Sequence, residues 1–353
     1  MVHTLRNAGY DRGQRILGPL ARLYDFPYAR FCVLTAPLVA PDTSRVEKRS
    51  VKSVVITPES ASTLHAKKVR KQWFLLAFVV TLGLSTVRPA RAQTLTVLHS
   101  FAGGADGWSP SANVVLDARG NLYGTTSLGG DLTCDSGNGC GAVFKLDSHG
   151  HKTTLHTFRG GTDGAAPGGG VLRDAGGNLY GTTKAAGDLT CNSGNGCGTV
   201  FKLDARGKFT VLHAFTGAPD GLDPEISPLL LDSQGNLYGT TEQGGDENCE
   251  NSAGCGTVFK VDGSGKETVL HAFHGGTDGA YPLGSVIRDA AGNLFGTTSA
   301  GGTFRGGVVY KIDATGNETV LYNFAGTPDG LAPWSTLVAA GEYLTAPPQP
   351  AVL

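Results

Sequence analysis

A segment of six residues, Asn-Leu-Tyr/Phe-Gly-Thr-Thr, occurs four times in this chain at intervals of 57 or 58 residues. Two further segments, Val-Phe/Tyr-Lys and Val/Thr-Leu-His/Tyr-x-Phe, also occur once per unit. Self-similarity of this kind predicts a tandem array of one supersecondary unit, in which each unit buries its apolar face against its neighbours. The first segment begins at Asn121, Asn178, Asn236 and Asn293, the second is centred on Phe144, Phe201, Phe259 and Tyr310, and the third ends at Phe101, Phe158, Phe215, Phe273 and Phe324.

Each unit contains four short runs that are rich in β-branched and aromatic residues and bounded by Gly, Asp or Pro, which is the pattern of β-strands. The first run of each unit lies at 113–116, 170–172, 229–231 and 285–287. No helical period is present after Gln93, and 49 of the 53 glycines lie beyond that residue. This composition favours many tight turns and opposes long helices.

Two kinds of connection join these runs. Short Asp-x-x-Gly turns join the first run to the second and the third to the fourth, because Asp can bond its own backbone and Gly can adopt a positive φ. A longer loop with a Cys pair joins the second run to the third, and a Gly-x-x-Asp-Gly-x-x-Pro loop leads into the next unit. Connections alternate between the two ends of an up-and-down sheet, so both longer loops are expected on one face.

These features predict an all-β fold, namely a β-propeller of four-stranded antiparallel blades. Four complete blades are expected at 113–158, 170–215, 229–273 and 285–324 within a repeat domain at 93–347, followed by a tail at 348–353. An incomplete fifth blade at 334–347 would be closed by an N-terminal strand at 94–101, which would remove the open edge. A truncated gene that leaves an open ring is the alternative, because the tail departs from the repeat pattern.

The order Phe-x-Gly-Gly-x-Asp-Gly-x-x-Pro, Asp-x-x-Gly-Asn-Leu-Tyr-Gly-Thr-Thr and Gly-x-Val-Phe-Lys resembles the GloVer tandem repeat of exported bacterial proteins, over residues 94–330. The blade order is also similar to that of NHL-type β-propellers. The GloVer resemblance implies an extracellular β-rich repeat protein, often with a C-terminal surface anchor. The sequence after Gly330 has no apolar span and no sorting motif, so we expect a released protein.

Charge is distributed unevenly along the chain. Residues 1–92 contain 15 basic and 5 acidic residues, whereas residues 93–353 contain 14 basic and 25 acidic ones. The acidic repeat domain argues against a nucleic-acid partner, because nucleic-acid binding relies on basic patches.

The segment 67–92 has the pattern of a secretory signal peptide. Basic residues at 67–71 precede an apolar run at 73–84, and small residues at Ala90 and Ala92 mark a cleavage site. The run is shorter than the roughly 20 residues that a membrane anchor needs. We therefore expect a secreted protein, extracellular or periplasmic, with no membrane span after cleavage. Residues 1–66 are expected to be disordered or to result from a wrongly assigned start codon.

Six cysteines form three Cys-x5-Cys pairs, and the shorter fourth unit lacks both cysteines together. Paired absence in an exported chain predicts that each cysteine bonds its neighbour and stiffens a long loop. Zinc is the alternative, but a closed zinc site needs four ligands and no histidine lies within these loops. The predicted disulfides are Cys134–Cys140, Cys191–Cys197 and Cys249–Cys255.

The face with the longer loops is the predicted functional face, because binding residues commonly lie on loops that a rigid scaffold holds. A recurring aspartate on these loops could ring a channel entrance and bind Ca²⁺ or a cationic or polyhydroxyl ligand, or could simply fix the turn. Trp108 and Tyr281 interrupt the repeat there, where an aromatic ring could stack on a sugar. The aspartates are Asp106, Asp163, Asp220, Asp278 and Asp329.

Two cysteine loops also carry side-chain oxygens that suit Ca²⁺, although such clusters are ordinary in loops. The histidine two residues before each repeated phenylalanine is predicted to pack between blades, since Tyr322 replaces one of them. The candidate Ca²⁺ ligands are Asp131, Asp135, Asn138, Asp188, Asn192 and Asn195, and the histidines are His99, His156, His213 and His271.

No catalytic residue is predicted, because the chain contains no Ser/His/Asp grouping, no Gly-x-Ser-x-Gly elbow and no unrepeated pair of carboxylates. We expect a secreted, non-catalytic module that binds carbohydrate or another surface polymer, with no cofactor other than Ca²⁺. An extracellular propeller hydrolase or lyase acting on polysaccharide is the alternative, since propellers host both functions. The sequence leaves the oligomeric state open.

Overall fold

The computed structural model describes residues 95–224, 228–249, 253–340 and 343–345. Within them the chain folds into four antiparallel sheets of four strands each, followed by one two-stranded sheet. In every four-stranded sheet the strands are hydrogen-bonded in chain order, so each repeat forms one meander. The all-β prediction is confirmed for the described residues. The predicted leader at 1–66 and signal peptide at 67–92 lie outside them.

The first strand of each sheet has two or three residues, whereas the other three have five or six. Sheet 1 contains β1 (Val115–Leu116), β2 (Leu122–Thr126), β3 (Ala142–Leu146) and β4 (Lys152–Thr157). Sheet 2 contains β5 (Val171–Arg173), β6 (Leu179–Thr183), β7 (Thr199–Leu203) and β8 (Phe209–Ala214). Sheet 3 contains β9 (Leu230–Leu231), β10 (Leu237–Thr241), β11 (Thr257–Val261) and β12 (Glu267–Ala272). Sheet 4 contains β13 (Ile287–Arg288), β14 (Leu294–Thr298), β15 (Val308–Ile312) and β16 (Glu318–Asn323). The two-stranded sheet contains β17 (Val338–Ala340) and β18 (Tyr343–Thr345).

The Asp-x-x-Gly turns form as predicted, as the turn between β5 and β6 illustrates. The Asp174 carboxylate accepts hydrogen bonds from the backbone N–H and the side-chain amide of Asn178, at 2.8 and 2.7 Å. Gly177 has a φ of 86°, a conformation that side chains disfavour. The Tyr180 hydroxyl also donates to Asp174, which explains why Asp, Asn and Tyr recur together.

The core consists of aromatic rings packed between consecutive sheets. Phe158, which follows β4, lies edge-on to Phe201 of sheet 2 with ring centroids 5.3 Å apart. Phe201 in turn lies opposite Gly181 of β6, where a Cβ atom would be 2.6 Å from the ring. The repeated Asn-Leu-Tyr-Gly-Thr-Thr segment therefore needs glycine to make room for the ring opposite. Equivalent aromatic contacts join sheet 2 to sheet 3 and sheet 3 to sheet 4.

The closing fifth blade is a correction to the sequence prediction. Residues 334–347 were expected to supply two strands, and β17 and β18 do pair with each other. The predicted N-terminal strand at 94–101 is wrong for its described residues, 95–101, which form no strand. Among the described residues no strand pairs with 95–101, so this segment joins no sheet. Phe101 still packs edge-on against Phe144 of sheet 1, as the equivalent rings do between other sheets.

Both longer loops of a repeat lie together, at the end of the sheet that we call the loop pole. The loop pole consists of the loops between the second and third strands and the loops that lead into the next sheet. A Cβ atom on Gly160 would be 2.4 Å from Cys134 Sγ, so these two loops touch. Ala165 and Ala185 exchange two backbone hydrogen bonds, which tie the inter-sheet loop to the next sheet as well. The predicted placement of the loops is confirmed.

Candidate functional site

Three disulfides stabilise the loop pole. The predicted pairs Cys134–Cys140, Cys191–Cys197 and Cys249–Cys255 are confirmed, with Cα atoms 5.6 to 5.8 Å apart. Gly217 of the following inter-sheet loop packs on the second pair, where a Cβ atom would be 3.2 Å from Cys191 Sγ. Each disulfide therefore supports two loops, its own and the one that leads to the next sheet.

The recurring aspartates and histidines, which the sequence presented as two separate sets, form pairs. In sheet 2 the Nε2 atom of His213 lies 3.0 Å from the Oδ2 atom of Asp220. Tyr322 takes the place of histidine in the last repeat and donates its hydroxyl to Asp329. We call these contacts the His–Asp pairs; the others are His99–Asp106, His156–Asp163 and His271–Asp278, at 3.2, 3.4 and 3.5 Å. The constant interval of seven residues was the sequence signal that could have revealed them.

In each four-stranded sheet a β-bulge of the fourth strand lies just before the histidine, or before Tyr322 in sheet 4. In sheet 2 the pairing between β7 and β8 shifts between Val200 and Phe201, so that Leu212 is left as the extra residue beside His213. Bulges increase local twist and redirect side chains. The same shift occurs in the other three sheets, which explains why the fourth strand presents its histidine, or Tyr322 in sheet 4, to the loop that follows.

Each aspartate also holds the backbone of its own loop. Asp220 accepts a hydrogen bond from the Thr216 backbone N–H at 2.9 Å, and Asp106 accepts one from the Ala102 N–H at 2.8 Å. The bond from Ala102 and the ammonium of Lys152 keep the pKa of Asp106 below its ordinary value, although burial opposes them. These aspartates act as turn-fixing acceptors, and whether they also bind a ligand stays a prediction.

The first residue of each fourth strand contacts the His–Asp pair of the preceding repeat, and we call this the interface position. In sheet 1 it is Lys152, whose Nζ atom lies 3.2 Å from Asp106 and whose side chain is only 7% exposed. In sheet 2 it is Phe209, whose ring stacks on His156 with centroids 3.8 Å apart. The prediction that the histidine packs between repeats is confirmed here.

In sheets 3 and 4 the interface position is a glutamate. Glu267, His213 and Asp220 bring one ligand atom each to within 4.8 Å of one another. Burial, together with the negative charge of Asp220, raises the pKa of Glu267 to about 7. Burial raises the pKa of Glu318 as well, beside His271 and Asp278. The sequence reasoning missed these glutamates, because they lie in a different repeat from their partners.

A second cluster of candidate metal ligands lies at the opposite end of sheet 1. Asp147, His149 and His151 belong to the turn between β3 and β4, and both histidines are exposed. Bonds from the His151 and His149 backbone N–H groups outweigh desolvation and lower the pKa of Asp147 to about 2. This carboxylate therefore has a structural role in the turn, like its counterparts in the other hairpins.

The predicted Ca²⁺ ligands lie on exposed parts of two disulfide loops. Asp131 accepts hydrogen bonds from the backbone N–H and the hydroxyl of Thr133, and Asp188 does the same for Thr190. The side-chain amide of Asn138 lies 3.4 Å from a carboxylate oxygen of Asp135. In the second loop Asn192 begins a three-residue 3-10 turn that Asn195 terminates. Calcium binding by either loop stays a prediction.

Six of the thirteen exposed large apolar side chains of the described residues lie at the loop pole. Trp108 is 57% exposed, as the sugar-stacking prediction requires, whereas Tyr281 packs against the core between sheets 3 and 4. Phe304, in the loop that lacks a disulfide, is 60% exposed, and Trp334 is 49% exposed. Leu132, Leu189 and Leu331 are exposed in these loops too. Among the described residues, none of the eight Asp-x-x-Gly turns carries an exposed large apolar side chain.

The class of protein that these features define is an all-β protein of tandem four-stranded sheets. The model of the Gloeobacter/Verrucomicrobia repeat family, Gleo_Verruco, matches residues 84–250 and 135–346. The chain belongs to this family, which confirms the GloVer resemblance. No curated protein sequence matches the chain.

Several solved structures are similar to this chain at low identity. Virginiamycin B lyase from Staphylococcus aureus is 16% identical, with a TM-score of 0.39 over 66% of this chain and 61% of the lyase. The gluconolactonase XC5397 from Xanthomonas campestris is 16% identical, with a TM-score of 0.36 over 67% and 71% of the two chains. The extracellular domain of BT4673 from B. thetaiotaomicron is 13% identical, with a TM-score of 0.44 over 67% of this chain and 26% of that one. At these scores the likenesses do not define an activity.

The described residues contain no helix that is long and apolar enough to cross a membrane.

Proposed function

We propose that this protein is an extracellular, non-catalytic propeller that binds carbohydrate or another surface polymer at its loop pole. The observation that carries the proposal is the asymmetry between the two ends of the sheets. Large apolar side chains are exposed on the loops of one end, whereas the described short turns of the other end carry none. Exposed apolar surface of this kind marks interaction sites, and aromatic rings are suited to stack on sugars.

The rigidity of the loops supports binding. Trp108 is held by two backbone hydrogen bonds with Leu128, at 2.9 and 3.1 Å. Pro333, the residue before Trp334, packs on Gly307 of sheet 4. A loop whose backbone is already ordered loses little conformational entropy when a ligand binds, which favours affinity.

The recurring aspartates favour binding over hydrolysis. A glycosidase of the common type needs two carboxylates that face the scissile bond, one as acid and one as base or nucleophile. Asp106, Asp220 and Asp278 instead accept hydrogen bonds from their own loop backbones and contact a histidine of their own repeat. An aspartate with these contacts serves mainly as a hydrogen-bond acceptor that holds its loop.

The arrangement of the four sheets around an axis is part of the same proposal. Consecutive sheets pack face to face through rings such as Phe215 on Phe259, and the N-terminal Phe101 covers sheet 1 in the same manner. A ring in which β17 and β18 approach this N-terminal segment would place Trp108 and Trp334 in neighbouring repeats. Small-angle scattering of the exported protein tests this arrangement, because an open row of four sheets is longer than a ring.

A glycan-array screen with and without Ca²⁺, followed by turnover assays on the hits, tests the proposed activity. We expect binding without product, and loss of that binding in Trp108→Ala and Trp334→Ala. Leu116→Ala is the matched control, because Leu116 is a 65% exposed apolar residue on β1 and outside the loops. A product that disappears in an Asp163→Asn variant would support a hydrolase or lyase instead.

Export is proposed on the sequence and is consistent with the three disulfides, which persist in oxidising compartments. Mass spectrometry of the material in the medium or periplasm tests it. We expect an N-terminus at Gln93, and a peptide from residues 1–66 in the exported protein would contradict the assigned leader.

A further inference from the structure

A cluster of three possible metal ligands lies where sheet 2 meets sheet 3. His213 belongs to β8, Asp220 to the loop that follows it, and Glu267 to the start of β12. The Nε2 atom of His213 lies 3.2 and 3.0 Å from the two carboxylate oxygens of Asp220. Two ligands of a four-coordinate zinc ion are about 3.3 Å apart when each metal–ligand distance is about 2.0 Å. The spacing therefore matches a pair that shares one ion.

Glu267 supplies the third ligand atom, and one of its carboxylate oxygens lacks a hydrogen-bond partner. Its Oε1 atom is buried and accepts no hydrogen bond from the described residues. A half-buried carboxylate with one buried and unsatisfied oxygen is costly, and the neighbouring Asp220 carboxylate adds repulsion. The group needs either a bound cation or a proton to offset that cost.

The equivalent interface between the N-terminal segment and sheet 1 already contains a cationic side chain. There the interface position is Lys152, and its ammonium lies 3.2 Å from an Asp106 oxygen, beside His99. Between sheets 1 and 2 the position is apolar, because Phe209 stacks on His156. The first interface thus neutralises its aspartate with lysine, and the second covers its pair with an aromatic ring. Glu267 does neither, and the same holds for Glu318 of sheet 4, so the interface between sheets 2 and 3 has an excess of negative charge.

We propose that His213, Asp220 and Glu267 bind a divalent transition-metal ion, with Zn²⁺ as the ion that this ligand set suits best. One imidazole nitrogen and two carboxylate oxygens are common zinc ligands. The ion would join the fourth strand of one sheet, the loop that leaves it and the fourth strand of the next. Three protein ligands leave one coordination position for water. The site is separate from the exposed aromatic residues of the proposed carbohydrate surface and does not depend on that function.

Isothermal titration calorimetry with ZnCl₂ on the metal-free exported protein tests the site. We expect Glu267→Gln to weaken the tightest zinc site by at least about tenfold, since it replaces a charged ligand with a poor one. Zinc should also raise the melting temperature of the wild type but not that of this variant, because an ion that binds only the folded state stabilises it.

Two control variants keep the result interpretable. Glu267→Phe recreates the arrangement of Phe209 on His156, so it should fold without zinc and fail to bind the ion. His149→Ala removes a member of the exposed cluster with Asp147 and His151, and should leave the tightest site unchanged. If Glu267→Gln bound zinc as tightly as the wild type, or if the wild type bound none at micromolar zinc, a proton and not a metal would neutralise Glu267, and the proposal would be wrong.

Discussion

Tyr322 donates its hydroxyl to Asp329 across the same interval of seven residues that separates His213 from Asp220. A phenol and an imidazole share little chemistry except a polar hydrogen at the end of a ring. Their exchange at this position indicates that the main task of the residue is to hold the aspartate of the loop. That task explains why the pair recurs in every repeat, including the last, where tyrosine replaces histidine.

Exchange of the donor at residue 322 tests this role. Tyr322→Phe removes the hydroxyl and leaves Asp329 with one donor fewer, so we predict a loss of about 1–2 kcal/mol in the free energy of unfolding. Tyr322→His restores the pair of the other repeats and should lie within about 0.5 kcal/mol of the wild type. Urea denaturation monitored by circular dichroism measures both. Equal losses in the two variants would show that packing of the tyrosine ring, and not its hydroxyl, stabilises the loop.

Substitution of two glycines in one disulfide loop can distinguish the cost of a positive φ from the cost of a clash with neighbouring backbone. Both have positive φ, 94° for Gly194 and 75° for Gly196, but a Cβ atom on Gly196 would lie 2.3 Å from the Ala186 carbonyl oxygen. We predict that Gly194→Ala costs about 1–2 kcal/mol through its φ alone. Gly196→Ala should cost at least about 1 kcal/mol more, because the neighbouring backbone must move. Chemical denaturation of the two variants measures the difference, and similar losses would contradict the close approach.

Removal of the disulfide of sheet 2 should destabilise the fold without unfolding it. The Cys191–Cys197 bridge closes a loop of seven residues, for which chain entropy gives roughly 2 kcal/mol. We predict a loss of that size in the double variant Cys191→Ser, Cys197→Ser, because sheet 4 forms the same meander without a bridge. Thermal unfolding under non-reducing conditions tests the prediction. Complete loss of the fold would mean that the bridge does more than stiffen its loop.

The turn aspartates should make the fold sensitive to acid. Burial opposes the charge of Asp174, but hydrogen bonds from Asn178 and Tyr180 outweigh it, and its pKa lies below the ordinary value of 3.8. A carboxylate with a lowered folded-state pKa stabilises the fold above its unfolded pKa, and this stability is lost as the pH falls through the folded value. We therefore predict a melting temperature that falls as the pH drops below the ordinary aspartate pKa of 3.8, and a shallower fall in Asp174→Asn. Parallel curves for the two proteins would contradict this origin.

Most of the fold could be predicted from the sequence, because the signals were local. The 57-residue period, the Asp-x-x-Gly turns and the Cys-x5-Cys spacing each act within a few residues, and the structure confirms the four sheets and the three disulfides. The N-terminal strand was predicted wrongly because a strand needs a hydrogen-bonding partner as well as a suitable composition. Residues 95–101 have the composition, but none of the strands in the described part of the chain pairs with them.

The site was less predictable, because its contacts cross between repeats. Within one repeat, the histidine and the aspartate could have been joined by their constant interval. The contact of Glu267 with His213 depends on how tightly consecutive sheets pack and on the bulge at Leu212, and neither can be read from the spacing of residues. The exposure of Phe304 likewise follows from the loss of the disulfide loop that the other repeats carry in its place.

Tryptophan fluorescence is the most direct test of whether a ligand binds at the loop pole. The chain has three tryptophans, at positions 73, 108 and 334, and the first lies in the segment that export is expected to remove. The remaining two are exposed on the loop pole. Titration of the exported protein with dextran, xylan and pectin should therefore give a saturable change in emission for the polymer that binds, at the concentration where calorimetry detects heat. Saturable binding by calorimetry with unchanged emission would place the ligand elsewhere and contradict the account.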